Sequence, residues 1–463
     1  MAKTTRLLGA AALCSAFCNY AAAQESLLDI YRRALQNDPL IREAEAQYLA
    51  TAEVRPQARS NLLPGLTLGS TRSHRFQDTP GGGVDPTTGV VVGSRQQVEA
   101  DTSGWQVSLS QSLFNWADYA TLRQADKRVT QAETDLQLAQ QELLLRVGEV
   151  YFDVLAAEDT LAAAVVTREA RARQLEQAQR RFEVGLIAIT DVQEFQAGYD
   201  QAVAAEIAAE RVLATAQEFL REIIAEGVTQ LAGPIDDLPL LRPDPESAEA
   251  WVETALEQNL ALISSRIAAD IAQDNIDIQR AARLPTLSLS ASYSDTSQDQ
   301  LFTIFNPPPV GNIVRPTISE PQGRNWQLSL QFPIYTGGFN RSRIQQSVYQ
   351  HRVASETLER IARQTERQTR DAYLGVISEI SRVRALQQAV ESSRTALRAG
   401  EAGFEVGTRT SVDVLTLQDN LQQQETTFAR SRYDYILNVL RLKQAAGSLT
   451  VEDIEAVDGW LER

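Results

Sequence analysis

The chain is poor in the side chains that carry most enzyme chemistry: 2 cysteines, 2 histidines and 1 methionine in 463 residues. Both cysteines, Cys14 and Cys18, lie near the start, and removal of that start leaves no thiol for a disulfide, a zinc site or a nucleophile. His74 and His351 stand alone, so metal or triad chemistry based on histidine has little to work with. Positive charge is also short, with 44 Lys plus Arg against 60 Asp plus Glu and a formal net charge of -16. That balance repels phosphate backbones and argues against a nucleic-acid partner. No GxSxG, HExxH or P-loop occurs, and Gly81-Gly82-Gly83, read as part of a strand-connecting loop, is followed by no Lys-Ser/Thr helix start. The expectation is a protein without catalysis and without a cofactor.

Long apolar runs are missing too. Beyond residue 24 no stretch of about 18 uncharged apolar residues occurs, which excludes a transmembrane helix. The start is different: Lys3 and Arg6, an apolar run from Leu7 to Cys18, and Ala21-Ala22-Ala23 before Gln24 form the layout of a secretory signal peptide, 1–23. Its loss makes the chain still more acidic and free of cysteine and methionine. An exported chain of this kind is soluble or enters a membrane as β-strands.

What is there is a duplication. Phe182-Glu183-Val184-Gly185 with Asp191-Val192 returns as Phe404-Glu405-Val406-Gly407 with Asp413-Val414, at an offset of about 221 residues. Leu63-Pro64 matches Leu284-Pro285, the strand beginning at Trp105 matches that at Trp326, and Tyr151 matches Tyr373, all in the same order. The organisation read from this is a first repeat over 24–230, a connector over 231–248 with Pro234, Pro239, Pro243 and Pro245, a second repeat over 249–447 and a tail over 448–463.

Inside each repeat the hydrophobic period switches twice. Residues 26 to 60 read as one helix capped by Ser26 and stopped by Pro64. A period of two then begins: Leu287, Leu289, Ala291 and Tyr293 alternate with Ser288, Ser290, Ser292 and Ser294. Beyond a Gly/Pro-rich loop at 80–93, Trp105, Val107, Leu109 and Leu113 oppose Gln106, Ser108, Ser110 and Ser112, and the second copy sets Trp326, Leu328, Leu330 and Phe332 against Gln327, Ser329 and Gln331. Strands of a membrane barrel between lipid and a wet lumen give this alternation, and so does a soluble sheet with one solvated face. From residue 118 the period lengthens again, and Leu122, Ala125, Val129, Ala132, Leu136, Ala139 and Leu143 form a coiled-coil seam. A helix over 118–182 would extend about 97 Å, with shorter helices over 26–60 and roughly 190–226 stacked beside it. Each chain thus supplies four candidate strands, against about eight in the smallest closed membrane barrels. Open edges in lipid are costly, so copies must combine, in twos or threes by counting alone.

With these features the sequence resembles the TolC family of outer-membrane efflux channels, across essentially the whole mature chain. RFEVGLIAITDVQ (181–193) and GFEVGTRTSVDVL (403–415) are similar to the family's two turn regions, and LPTLSLSASYSDTS (284–297) and FPIYTGGFNRSRI (332–344) to its strand and strand-to-helix junction. The resemblance implies an α+β membrane protein. A homotrimer would close twelve strands, four per chain, into an outer-membrane β-barrel continued by a periplasmic α-helical barrel. It also implies outer-membrane lipid as a partner, and docking of the helix tips, Val184-Gly185-Leu186 and Val406-Gly407-Thr408, onto a periplasmic adaptor fed by an inner-membrane RND or ABC transporter.

The resemblance further places a periplasmic gate at Thr190, Asp191, Phe404, Arg409 and Asp413, in which Arg409 links to Thr190 and Asp191 and holds the entrance shut. A tyrosine usual in the family at the Phe404 position would hydrogen-bond Asp191, and Phe404 cannot. Asp413 repeated by three chains would make a ring that attracts cations, weakened here because Thr416 stands where a second aspartate often does. A secreted coiled-coil adhesin is the alternative reading, separable by fractionation. Drug efflux and protein secretion use the same kind of pore, and nothing in the residues chooses between those cargoes.

Overall fold

The computed structural model of the chain describes residues 24–84, 87, 89, 91–228, 230–235, 238–305 and 311–461. The signal peptide expected over 1–23, with Cys14 and Cys18, lies outside the described residues. Ser26 caps the first helix through its hydroxyl, which accepts the Asp29 amide at 3.3 Å. The single helix expected over 26–60 is three: α1 (Leu27–Asn37), α2 (Pro39–Ala52) and α3 (Val54–Ser60). The first break falls at Asp38, which is held extended because the ring of Pro39 crowds the helical region of the residue before it. The Asp38 carboxylate then accepts the Leu40 amide and pairs with Arg146, so the break is bonded on both sides.

The period-two segments form β1 (Gly65–Val84) and β2 (Val91–Phe114), antiparallel and in register from Gly65↔Ser110 to Val84↔Val91. The connection is therefore tighter than the loop expected at 80–93, and Gly81–Gly83 lie in the β1 ladder because the cross-strand pairing continues to the hairpin tip. β3 (Thr286–Phe305) pairs with β2 on one side and on the other with β4 (Ile313–Ser319) and β5 (Gln322–Gln331), one strand position interrupted before Pro321. One register irregularity occurs: a bulge between Ser112 and Phe114 sets Phe114 opposite Leu287, displacing Leu113 from the row the alternation assigned it.

Four strand positions thus form an open sheet, with β1 at one edge and β4 and β5 at the other. Leu66, Leu109, Ala291 and Trp326 share one row across it, and Leu68, Val107 and Tyr293 the next. Trp105 and Tyr293 meet with ring centroids 5.3 Å apart at its rim, where Arg324 lies 5.7 Å over the Tyr293 ring. The opposite face is hydroxyl and amide: Thr67, Ser108, Ser292 and Asn325 form one row, with Thr67 Oγ1 and Ser108 Oγ 2.6 Å apart.

The strands are followed by α4 (Trp116–Glu183), 68 residues long and unbroken at Gly148, and then by α5 (Ile189–Ile224). The second repeat supplies α6 (Ala248–Gln258), α7 (Leu260–Ala281), α8 (Phe339–Glu405, 67 residues) and α9 (Ser411–Ala446), and α10 (Val451–Asp458) closes the chain. At 1.5 Å per residue α4 is about 100 Å long. Among the described residues no helix is long and apolar enough to cross a membrane.

The described residues divide into two compact units: those within 24–44, 137–259 and 363–461 in one, those within 45–136 and 260–362, with the sheet, in the other. The first holds the main apolar core, where Leu143, Val147, Tyr151 and Phe152 of α4 meet Leu27 and Ile30 of α1, Leu220 and Ile224 of α5, and Ile436, Leu437 and Leu440 of α9. Phe152 stacks on Tyr433 at 5.6 Å and meets Tyr151 edge-on at 5.3 Å. Each fully buried aliphatic or phenyl side chain here contributes about 1.5–3 kcal/mol. The buried Tyr151 hydroxyl donates to the carbonyls of Ala232 at 2.7 Å and Glu25 at 3.1 Å, tying the connector to the first residues of the repeat. In the second unit α4 and α7 pack through polar groups, with Lys127 2.8 Å from the buried Asp274 and Gln124 donating to the Ile271 carbonyl.

Candidate functional site

The two FEVG segments end α4 and α8 in the same way. Gly185 (φ 77°) donates to the Phe182 carbonyl and Leu186 to that of Arg181; Gly407 (φ 79°) donates to Phe404 and Thr408 to Gly403. These are Schellman caps, and their left-handed position suits glycine. A Cβ on either glycine would touch nothing within 4 Å, so backbone conformation alone selects the residue. Around the caps apolar side chains face outward without partners: Val184 is 70%, Leu186 73% and Val406 75% exposed.

The returning helices start differently. In the second repeat Thr410 and Asp413 form a reciprocal capping box, each side chain accepting the other's amide, at 3.2 and 2.9 Å. The Thr410 amide, then its hydroxyl, and also the charge of Arg409 hold the Asp413 carboxyl below the usual carboxylate range, against a desolvation effect that raises it. In the first repeat Ala188 takes the cap position without a side-chain acceptor: the Asp191 amide donates to the Ala188 carbonyl at 3.2 Å, and the return bond runs from the Ala188 amide to the Asp191 carboxylate at 3.2 Å. Thr190 is exposed on the first turn of α5. Arg409 lays its stem on Gly403, where a Cβ would stand 2.8 Å from Arg409 Cγ. Among the described residues its guanidinium makes no bond to Thr190 or Asp191; Asp413 is the charge it acts on. Thr416 turns its hydroxyl back to the Val412 carbonyl at 2.8 Å.

Phe404 joins the repeats by packing. It meets Phe195 edge-on at 5.9 Å, with Arg181 5.6 Å over its ring, and it lines a cavity of about 180 Å³ with Gln174, Glu401 and Val414. Below it lies a small core of Leu175, Ala178, Val192 and Phe195. Two polar ties accompany it: Ser411 donates to Glu194 at 2.6 Å, and Arg171 reaches the Leu415 carbonyl at 3.1 Å and Asp419 at 2.5 Å. Reading the sequence for repeated motifs missed Arg171, Glu194, Phe195, Ser411 and Asp419, because these contacts join unlike parts of the two repeats. Lone polar residues on amphipathic helices carry no mark of their partners.

An antiparallel sheet with apolar rows on one face, together with two copies of a long helix followed by a returning one, defines the class: a subunit of a membrane channel. The family model described as outer membrane efflux protein matches residues 30–226 and 251–448, one span per repeat. The chain is 35% identical to outer membrane protein TolC of Vibrio cholerae over 95% of its length and 94% of that protein's, and 34% identical to outer membrane protein TolC of Escherichia coli over 95% and 85%. It is 28% identical, over 93% and 86%, to the alkaline protease secretion protein AprF of Pseudomonas aeruginosa. Its fold matches those of the outer membrane protein VceC of V. cholerae (TM-score 0.71, 16% identity, 91% and 96% covered) and the CmeC outer membrane channel of Campylobacter jejuni (TM-score 0.71, 16% identity, 95% and 90% covered). The chain belongs to the outer membrane efflux protein family. It is an outer-membrane exit duct, and its family is one of channels rather than enzymes.

Proposed function

We propose that three copies close twelve strand positions into one outer-membrane barrel around a water-filled lumen. The observation that carries this reading is the sheet, whose four strand positions leave both edges unpaired among the described residues while two successive rows of one face, Leu66–Leu109–Ala291–Trp326 and Leu68–Val107–Tyr293, are apolar. The outward Val184, Leu186 and Val406 at the caps give a periplasmic adaptor protein its apolar anchors, with Gly185, Gly407 and Thr408 shaping the contact. An inner-membrane transporter of the RND or ABC type feeds the duct and chooses the cargo. Relatives named for protease secretion and for pyoverdine export support a pore indifferent to cargo class.

The gate in this reading comprises Thr190, Asp191, Phe404, Arg409 and Asp413. With no tyrosine at 404, the charge of Arg409 is left to link repeats, and in a ring it would meet the Thr190 and Asp191 side of a facing repeat. Outer-membrane fractions run unheated on a denaturing gel should give a trimer band that collapses on boiling; a monomer throughout would remove the assembly. Arg409→Ala should raise single-channel conductance in a planar bilayer, and an unchanged conductance would remove Arg409 from the gate.

A further inference from the structure

Arg171 lies on α4 three turns before Glu183, and its side chain is 4% exposed. It crosses to the other repeat, bonding the Leu415 carbonyl and the Asp419 carboxylate of α9. Room for the crossing comes from α5: a Cβ on Gly198 would stand 2.9 Å from Arg171 Nη1 and 3.5 Å from both Leu415 methyl carbons. A cavity of about 100 Å³ lies alongside, lined by Thr167, Gln201 and Gln422. Burying a guanidinium is costly unless it is paired, so these groups hold α9 against α4. The pairing is one-sided in a second sense, since Asp419 is 59% exposed and can return to water while Arg171 stays covered.

The duplication makes the arrangement unique within the chain. Aligned on the two FEVG segments, Ser393 takes the place of Arg171, Ala197 that of Asp419 and Asn420 that of Gly198. The second repeat has neither the cation to give nor the first the carboxylate to receive it, so this tie forms once per chain and only in one direction.

We propose that Arg171 and Asp419 form a latch between the repeats, separate from the residues at the helix tips, that pins the α8–α9 hairpin to the α4–α5 hairpin and must release for the entrance to widen. Glu194 and Ser411 lie on its tip side and Gly198 is its clearance. This rests on the proposal that the entrance is gated. It assigns the release to the exposed partner: Asp419 leaves and is hydrated, and Arg171 acts as a positioning residue.

The test uses purified full-length trimers in planar bilayers, comparing Asp419→Asn, Asp419→Glu, Arg409→Ala and the wild type at matched trimer content and melting temperature. Losing one charge-assisted hydrogen bond should raise the open fraction of Asp419→Asn on the order of tenfold. Asp419→Glu, which keeps the charge, should stay near wild type, a split that a merely structural role would not give. Asp419→Asn combined with Arg409→Ala should open further than either alone. Wild-type conductance from Asp419→Asn while Arg409→Ala opens the channel overturns the latch and leaves the gate standing. A rise in Asp419→Asn with none in Arg409→Ala supports the latch and removes Arg409. If the wild type and every variant fail to conduct, the duct itself is refuted and the latch with it.

Discussion

Leu109→Arg tests which face of the sheet meets lipid. Leu109 sits near the middle of the apolar band, in a row with Leu66, Ala291 and Trp326. From Leu287 to Tyr293 the strand rises about 20 Å at ~3.3 Å per residue, which a tilt of ~40° turns into about 15 Å of height, over half of the ~25 Å lipid-facing band of such barrels. An arginine near the midplane costs about 2–4 kcal/mol per copy, hence about 6–12 kcal/mol for an assembly of three. That is comparable to the whole stability of an ordinary domain, about 5–15 kcal/mol. Leu109→Arg should therefore be lost from the heat-modifiable trimer in outer-membrane fractions. The control is one residue away: Ser108→Arg, on the polar face with Thr67 and Ser292, should assemble normally and conduct less. Normal assembly of Leu109→Arg together with exclusion of Ser108→Arg would mean that the faces are reversed and that the apolar rows line an interior.

Gly447→Ala should destabilise strongly, because Gly447 ends α9 at φ 77° and a Cβ there would lie 2.3 Å from the Gln258 carbonyl oxygen, a backbone atom that cannot swing aside; a loss of about 2 kcal/mol or more is expected from conformation and overlap together, read as a lower midpoint in thermal melts. Tyr151→Phe keeps the ring packing but leaves the Ala232 carbonyl without its donor, while the Glu25 carbonyl keeps the Ala232 amide; the cost is about 1–3 kcal/mol, measurable by denaturant titration with an unchanged slope. For Asp413 the folded pKa lies below the ordinary carboxylate value, so the stabilisation from its ionised form is present above that value and is lost only as pH falls through the lower folded pKa. Block of the channel by a polyvalent cation should accordingly be the same at pH 7 and pH 5, and should vanish in Asp413→Asn. A block that fades between those two pH values would assign the cation to another group.

Regular elements were legible in the sequence because burial there repeats along the chain. The Leu122-to-Leu143 seam is buried or half-buried throughout, and the Ser/Leu alternation of β3 runs as read. Local exceptions were readable only in part. Pro39 and Pro321 stand at breaks that the hydrophobic period passed over, although a proline marks each, whereas the bulge at Ser112–Phe114 arises from fitting β2 to β3 and leaves no trace in either strand alone. At the tips the sequence located both glycine turns, but it read Asp413 as a ring charge and missed its capping box with Thr410. The neighbours of Phe404 and of Arg171 come from residues some 200 positions away, and the repeats that reveal the fold conceal these contacts, since the pairs join positions that are not equivalent.

The two units do not correspond to separable stretches of chain. The backbone passes between them four times, twice in the middle of the unbroken helices α4 and α8. No single cut yields either unit, and a truncated gene encodes fragments of both. The long helices can therefore keep their packed faces only when their length changes by a whole number of turns, since a one-residue deletion in α4 would rotate everything beyond it in the helix by about 100°. The duplication that built the protein thus ties the lengths of its long helices together.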